Sequence, residues 1–362
     1  VSIYGSIRGD ANYIIKGADN DFNSAHTSKE EASDKLRATA KVTRLGLDFN
    51  TNVGDNKVGG KVEVDFASLD NAKSENLRIR HAYLTLNNWL FGQTTSSFAS
   101  VHAPEMIDYY TNIGGSGASA RVPQVRYGYK LAPTTQLFVS AEEGSSSATE
   151  LKVTQEKIRD DSGAVIDTKV TRENVSSDVT YRAPVLTAKL VQGYAEGKGL
   201  ASARALVEHY KAKSGDDKTG WGAAVGTNYQ LAEPLKVSAD VSYVKGNSNY
   251  LYGSNSAFYV NADNGDIEQN EAFGVQVGAT YQFSPQLRST LAYGALFADD
   301  GTDYARLNTG ANEKVQQAWI NFIYSPVKPV DLGIEYINGE RETFKGQKFS
   351  DDRVGFMARY SF

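Results

Sequence analysis

Seven basic side chains recur at alternate-residue positions within the first 126 residues of a 362-residue chain: Arg8, Arg37, Lys41, Lys61, Arg78, Arg80 and Arg126. A guanidinium offers a planar fork that matches a carboxylate in two parallel hydrogen bonds. Two such forks on neighbouring strands would suit a diacid. This chemistry is reversible binding of anions, and the usual catalytic arrangements are missing beside it. The chain has no cysteine, so it has no thiolate nucleophile, thiolate metal site or disulfide framework. His26, His81, His102 and His209 lie far apart and form no HxxxH or HExxH spacing, and no GxSxG motif occurs. GSGASA fits a loose dinucleotide fingerprint but runs into Arg121–Val122–Pro123 rather than a helix. In DNDFNSAHTSKE, Asp19, Asp21, Asn23 and Glu30 fall at positions 1, 3, 5 and 12 of a calcium loop. Ser24 replaces the expected glycine and strands flank the stretch, so calcium is an alternative to a solvated acidic loop.

The elements that carry the basic residues read as strands. In VSIYGSIRGDANYII, Val1, Ile3, Ile7, Ala11, Tyr13 and Ile15 share one face, while Ser2, Ser6, Arg8, Asp10 and Asn12 share the other. The closing RVGFMARYSF sets Val354, Phe356, Ala358 and Tyr360 against Arg353, Met357 and Arg359. Parity slips once, at Thr43–Arg44, as a β-bulge would make it. His81 has outward parity, alongside Gly5, Gly9, Ala38 and Ala40, which suggests a subunit interface on that wall.

Which face meets water follows from magnitudes. Arg8, Lys41, Arg80 and Arg126 fall near mid-strand, and each would cost roughly 2–4 kcal/mol if turned toward lipid. Four such costs equal about the whole net stability of a domain. The arginine face therefore lines a wet interior, and the aromatic–aliphatic face is the outside. No apolar run reaches the ~18 residues of a membrane helix, and the mean hydropathy of −0.43 is compatible with a barrel, where only alternate residues are apolar.

Short connections such as NNW, LAPT, LAEP and SPVKP interleave with long polar ones, over strands of about ten residues. The pattern predicts one transmembrane antiparallel β-barrel over residues 1–362, with about sixteen strands, short periplasmic turns and long extracellular loops. Tyr13, Tyr281, Phe283, Tyr324 and Phe362 fit aromatic girdles. A soluble β-sandwich is the competing architecture, and it leaves the aromatic C-terminus unexplained. Val1 already belongs to a strand, so the chain reads as mature or trimmed.

Residues 95–123 form a long segment of low charge that mixes Phe98, Met106, Tyr109 and Tyr110 with Glu105 and Asp108. Such apolar content suits a segment folded into the barrel, where its carboxylates would face the basic wall and set up a transverse field. The later strands present mainly Asn228, Gln230, Gln276, Thr280, Gln282 and Glu335 inward. The basic residues could equally be tied to Asp10, Glu63 and Asp65 and only support the wall.

RVPQVRYGYKL, DLGIEYINGERETFKG, RVGFMARYSF and GQTTSSF together resemble the DcaP-like outer-membrane porins of Gram-negative bacteria. The resemblance implies a homotrimer of sixteen-stranded barrels passing small anionic solutes, notably dicarboxylates. Some members carry a coiled-coil-like extension before the first strand, which this chain would lack or have lost. The expected protein is an anion-selective diffusion channel in the outer membrane, in contact with lipid and lipopolysaccharide. It would use no cofactor and, at a net charge of −5, bind no nucleic acid. Succinate, phthalate and anionic antibiotics are all compatible with an arginine pair. An outer-membrane barrel enzyme of the lipase or protease type, or a non-conducting structural barrel, are the alternatives.

Overall fold

A computed structural model describes residues 1–68, 76–109, 112–116, 121–144, 147–254 and 257–362, apart from the side chains of Ser147 and Asp178. Its strands join edge to edge in one sheet. The first ten are β1 (Ser2–Gly17), β2 (Ala32–Thr39), β3 (Arg44–Val53), β4 (Asn56–Asp65), β5 (Arg78–Leu86), β6 (Trp89–Thr95), β7 (Arg121–Ala132), β8 (Thr135–Glu142), β9 (Ser147–Arg159) and β10 (Val165–Thr180). They continue as β11 (Val185–Tyr194), β12 (Gly199–Ala212), β13 (Asp217–Ala232), β14 (Leu235–Gly246), β15 (Phe258–Val260), β16 (Ile267–Ser284), β17 (Leu287–Ala298), β18 (Asn312–Tyr324), β19 (Val330–Thr343) and β20 (Lys348–Ser361).

The sheet closes on itself. β1 pairs antiparallel with β20, and Gly5 and Phe362 exchange two backbone hydrogen bonds of 3.0 Å. β2 and β3 both pair with β1 and act as one wall strand. β8 pairs directly with β11, so the β9–β10 ribbon stands outside the wall, and β15 belongs to an extracellular loop. That leaves a closed antiparallel barrel of sixteen strands, which abolishes the exposed edges an open sheet would present. No described helix is long and apolar enough to cross a membrane, so the strands do the crossing.

Among the register shifts, two adjust the alternation beside the basic residues. Asp10 opposes Thr39 while Ser6 opposes Arg44, which places one extra residue on the β2–β3 side, where the parity slip was expected. The second was not legible. Glu63 opposes His81, yet Val64 opposes Ile79, so Arg80 is the extra residue. His81 consequently turns to the face of Glu63, 3.6 Å away, instead of outward. At the periplasmic rim the two-residue turn after β5 puts Asn87 at φ +52°, a left-handed position that asparagine tolerates.

The outward face is apolar and exposed, with Ile7, Val225 and Phe283 each more than half accessible, while Arg8, Asp10 and Asn12 are buried inside. Tyr281, Phe283, Tyr324 and Phe362 ring the periplasmic end, and Tyr13, Trp221 and Phe273 the other. Val225→Arg, midway along β13 between Trp221 and Tyr229, is expected to cost about 2–4 kcal/mol. Urea titration of protein refolded into detergent or lipid measures it, and an unchanged midpoint would contradict the lipid-facing assignment. Inside, Leu206, Ala224, Val244, Leu296 and Val315 form an apolar patch against Phe98, Ile113 and Leu251. Part of the lumen is thus a packed core instead of a water channel.

Candidate functional site: the lumen and its inward segment

Between β6 and β7 the chain runs along the inner wall. Backbone N–H and C=O groups buried there must find partners, and wall side chains supply them. Glu142 accepts from Ser96 Oγ (2.6 Å) and from the Ser97 N–H (3.0 Å). Phe98 enters the apolar patch, and its carbonyl accepts from Arg204 Nε (3.2 Å). Glu105 makes a two-point pair with Arg288 of β17 (2.7 and 3.0 Å), and its carbonyl accepts from Trp319 Nε1 (2.9 Å). The N–H groups of Ile107 and Asp108 both donate to Glu335 of β19 (2.8 and 2.9 Å). The return path lies so close to the wall that a Cβ on Gly274 or Gly294 would overlap the carbonyl oxygens of Gly114 and Ile113. Tyr110 and residues 111 and 117–120 of the expected 95–123 segment lie outside the described residues.

His102 bridges to the far wall, with Nδ1 3.0 Å from Asn228 and Nε2 2.6 Å from Ser202 Oγ. The row has the spacing of nucleophile, base and orienting group. Ser202 Oγ also accepts from Arg204 (2.9 Å), and both Ser202 and His102 are buried, so the row pins the segment to β12 and β13.

The wall expected to be basic is close to charge-balanced. Arg8 pairs with Asp10 (2.8 Å), Arg37 with Asp19 and Asp21 (both 2.9 Å), and Lys41 with Asp21 (2.8 Å). Lys61 pairs with Asp48 (2.8 Å), Arg78 with Asp65 (2.6 Å) and Arg80 with Glu63 (2.7 Å). Tyr109 joins this last group from the inward segment: its hydroxyl donates to Asp65 (2.8 Å) and accepts from Arg78 and Arg80. Glu105 is taken up by Arg288, and Asp108 accepts from the Asn23 N–H (2.8 Å). Glu335 belongs to the segment's anchorage instead of an open acidic wall.

Arg126 stands apart. Among the described residues no carboxylate pairs with it, and its guanidinium lies 5.5 Å from the centre of the Phe138 ring. Lys189 Nζ approaches the same ring at 5.0 Å from the next strand, β11, where Lys189 opposes Phe138, and it too has no described carboxylate partner. Two cations sharing one aromatic ring keep their charge available, each attracted by the ring's quadrupole without being neutralised. Lys189 was missed by the sequence reading. Its signal was the alternation of Thr187, buried inside, with Leu186 and Leu190, exposed outside.

The four residues at calcium-loop spacing do not converge. Asp19 and Asp21 are taken up by Lys35, Arg37 and Lys41. Asn23 bonds within its loop and to the Asp351 carbonyl, and Glu30 accepts from the Ser350 N–H (3.0 Å) and pairs with Lys16 (3.1 Å). The hydrogen bond from Lys35 holds the Asp19 carboxyl below the usual range, and the Ser350 N–H does the same for Glu30. Among the described residues no group of three or more His, Asp or Glu side chains is arranged to hold a metal.

Comparison with known proteins places this architecture. The family model described as DcaP outer membrane protein matches residues 1–158 and 165–362. The outer membrane channel DcaP of Acinetobacter baumannii is 61% identical over 100% of this chain and 96% of its own, with a TM-score of 0.89. At 13% identity the fold alone is shared with the trimer form of OmpT of Vibrio cholerae (TM-score 0.62, 100% of this chain and 98% of that one). The same holds for an anion-selective porin from Comamonas acidovorans (13%, TM-score 0.61, 100% and 99%). No curated protein matches. A sixteen-stranded barrel with a lipid-facing exterior and a polar lumen, matched end to end by such a channel, belongs to the DcaP outer membrane protein family and is an integral outer-membrane channel.

Proposed function

We propose that the chain is a passive diffusion channel favouring small anionic solutes, with dicarboxylates and anionic antibiotics among them, and that it works without a bound metal or cofactor. The observation that carries this reading is the pair Arg126 and Lys189. Arg8, Arg37, Lys41, Lys61, Arg78 and Arg80 spend their charge on Asp or Glu at 2.6–2.9 Å, whereas these two lie against the Phe138 ring with no described ion pair. A solute carboxylate passing there replaces lost hydration with unshared positive charge, while cations of like size are repelled. The inward segment, over its described residues 96–109 and 112–116, would narrow the passage. Arg80, tied to Glu63 and touched by Tyr109, supports the wall in this reading.

Three copies would associate through the β1–β2–β20 wall. There Gly9, Ala11, Ala38 and Ala358 line a shallow outward concavity that lets a neighbouring barrel approach closely. Lipid and lipopolysaccharide would cover the remaining outer wall.

Liposome swelling tests the reading. Succinate is expected to enter proteoliposomes several-fold faster than a diamine of the same length. Equal or faster entry of the diamine would contradict it, and no entry of either would return weight to a non-conducting barrel.

A further inference from the structure

The inward segment is gripped hardest at one point. Glu335 receives the N–H groups of Ile107 (2.8 Å) and Asp108 (2.9 Å) and the side-chain amide of Asn321 (2.9 Å). From the opposite direction Arg8 donates to the Ile107 carbonyl. Glu335 is 1% exposed, and no cation pairs with it among the described residues. Three donors converging on one carboxylate match its charged form best, because that form offers acceptors alone. An amide would turn a donor toward one of those N–H groups and leave it unsatisfied, and protonation leaves one oxygen a weaker acceptor for its N–H.

We infer that Glu335 is the positioning residue that holds the apex of the constriction against the β18–β20 wall, and that loss of its charge frees the apex to enter the lumen. The inference rests on reading the Ser96–Ser116 segment as the constriction. Beyond the carboxylate, Ile107 and Asp108 are held by Arg8 on the Ile107 carbonyl, by the Asn23 N–H on Asp108 and by the apolar contact of Ile107 with Ile323 and Met357, and Glu335 alone takes both of their N–H groups. The charged groups nearby do not supply Glu335 with a counter-ion. On β1, Arg8 is paired with Asp10; on β20, Arg353 is paired with Asp351; the segment adds Asp108, and β18 offers only the Asn321 amide. Acid therefore acts on a carboxylate whose charge is held by hydrogen bonds alone.

Single-channel recording of wild type, Glu335→Gln and Glu335→Asp between pH 7.5 and pH 4 tests this. Wild type is expected to gain brief closures as the pH falls. Glu335→Gln is expected to close about tenfold more often already at pH 7.5, the scale of losing one hydrogen bond to a charged group, and to lose the pH dependence. Glu335→Asp retains the charge and keeps the pH dependence. Wild-type closing kinetics in Glu335→Gln, or a conducting wild type that acid leaves unchanged, would overturn the inference.

Should Glu335→Gln fail to fold, a tether gives an independent test. The chain has no cysteine, and a Cβ on Gly278 would lie 2.6 Å from Pro104 Cβ, which is about 1 Å closer than a disulfide needs. Oxidised Pro104→Cys/Gly278→Cys pores should stay open in acid and regain closures on reduction. Acid closure that persists in the oxidised pore would show that the apex is not what moves. A wild type silent at every pH would instead contradict the channel reading itself.

Discussion

Arg126→Gln combined with Lys189→Gln is expected to lower the anion-over-cation permeability ratio by about tenfold, equivalent to about 1.4 kcal/mol. The physical reason is that neither cation forms a described ion pair, and Glu142, the carboxylate that acts on Arg126, is already taken up by Ser96, Ser97 and Thr187. Removing them deletes positive charge without unmasking a negative one, so the barrel should assemble normally. Arg80→Gln makes the contrast. Arg80 sits 2.7 Å from Glu63 and 3.5 Å from Asp65, and its loss leaves buried carboxylates short of a partner. That variant should lose stability more than selectivity. Reversal potentials of the two variants decide between them. Unchanged selectivity in the double variant, with collapse in Arg80→Gln, would move the anion path to the β4–β5 wall.

Asp240→Ala is expected to cost about 3–5 kcal/mol of barrel stability. Arg204 and Asp240 pair at 2.8 Å with both side chains wholly inaccessible, so truncating the acid strands a guanidinium in a dry site. The same guanidinium donates to the Phe98 carbonyl and to Ser116 Oγ (2.8 Å), which fastens both ends of the inward segment. The exposed pair Arg306–Asp303 supplies the control: with both side chains more than 60% accessible, Asp303→Ala should cost no more than about 0.5 kcal/mol. Denaturant titrations in a fixed detergent measure both. Equal midpoints for wild type and Asp240→Ala would show that the pair does not hold the segment.

The barrel was legible because its signal is repeated along the wall. Alternation in β1, β20 and the strands between them fixes inside and outside, and the 2–4 kcal/mol penalty for a lipid-facing arginine removes the inverted reading. Parity failed at one point. The bulge at Arg80 turns His81 inward, and no feature of NLRIRHAYLTL announces an extra residue. The lumen was harder to read for a different reason. Charge sign is visible in sequence, but pairing is not: Asp19 and Asp21 reach Arg37 and Lys41 from a loop, and Asp48 reaches Lys61 across a strand pair. Lys189 was within reach of the same parity count, since Thr187 faces inward and Leu186 and Leu190 face outward in VLTAKLVQGY. Gly274 and Gly294 carried no visible meaning until the inward segment lay across them.

The most direct test of the central claim is the zero-current potential of the purified wild-type protein in a planar bilayer under a tenfold KCl gradient. Preference for chloride, with flicker on adding a small dicarboxylate, is the result that two unshared cations beside Phe138 predict. A potential of the opposite sign would keep the channel and contradict the assignment of Arg126 and Lys189 as its selective residues.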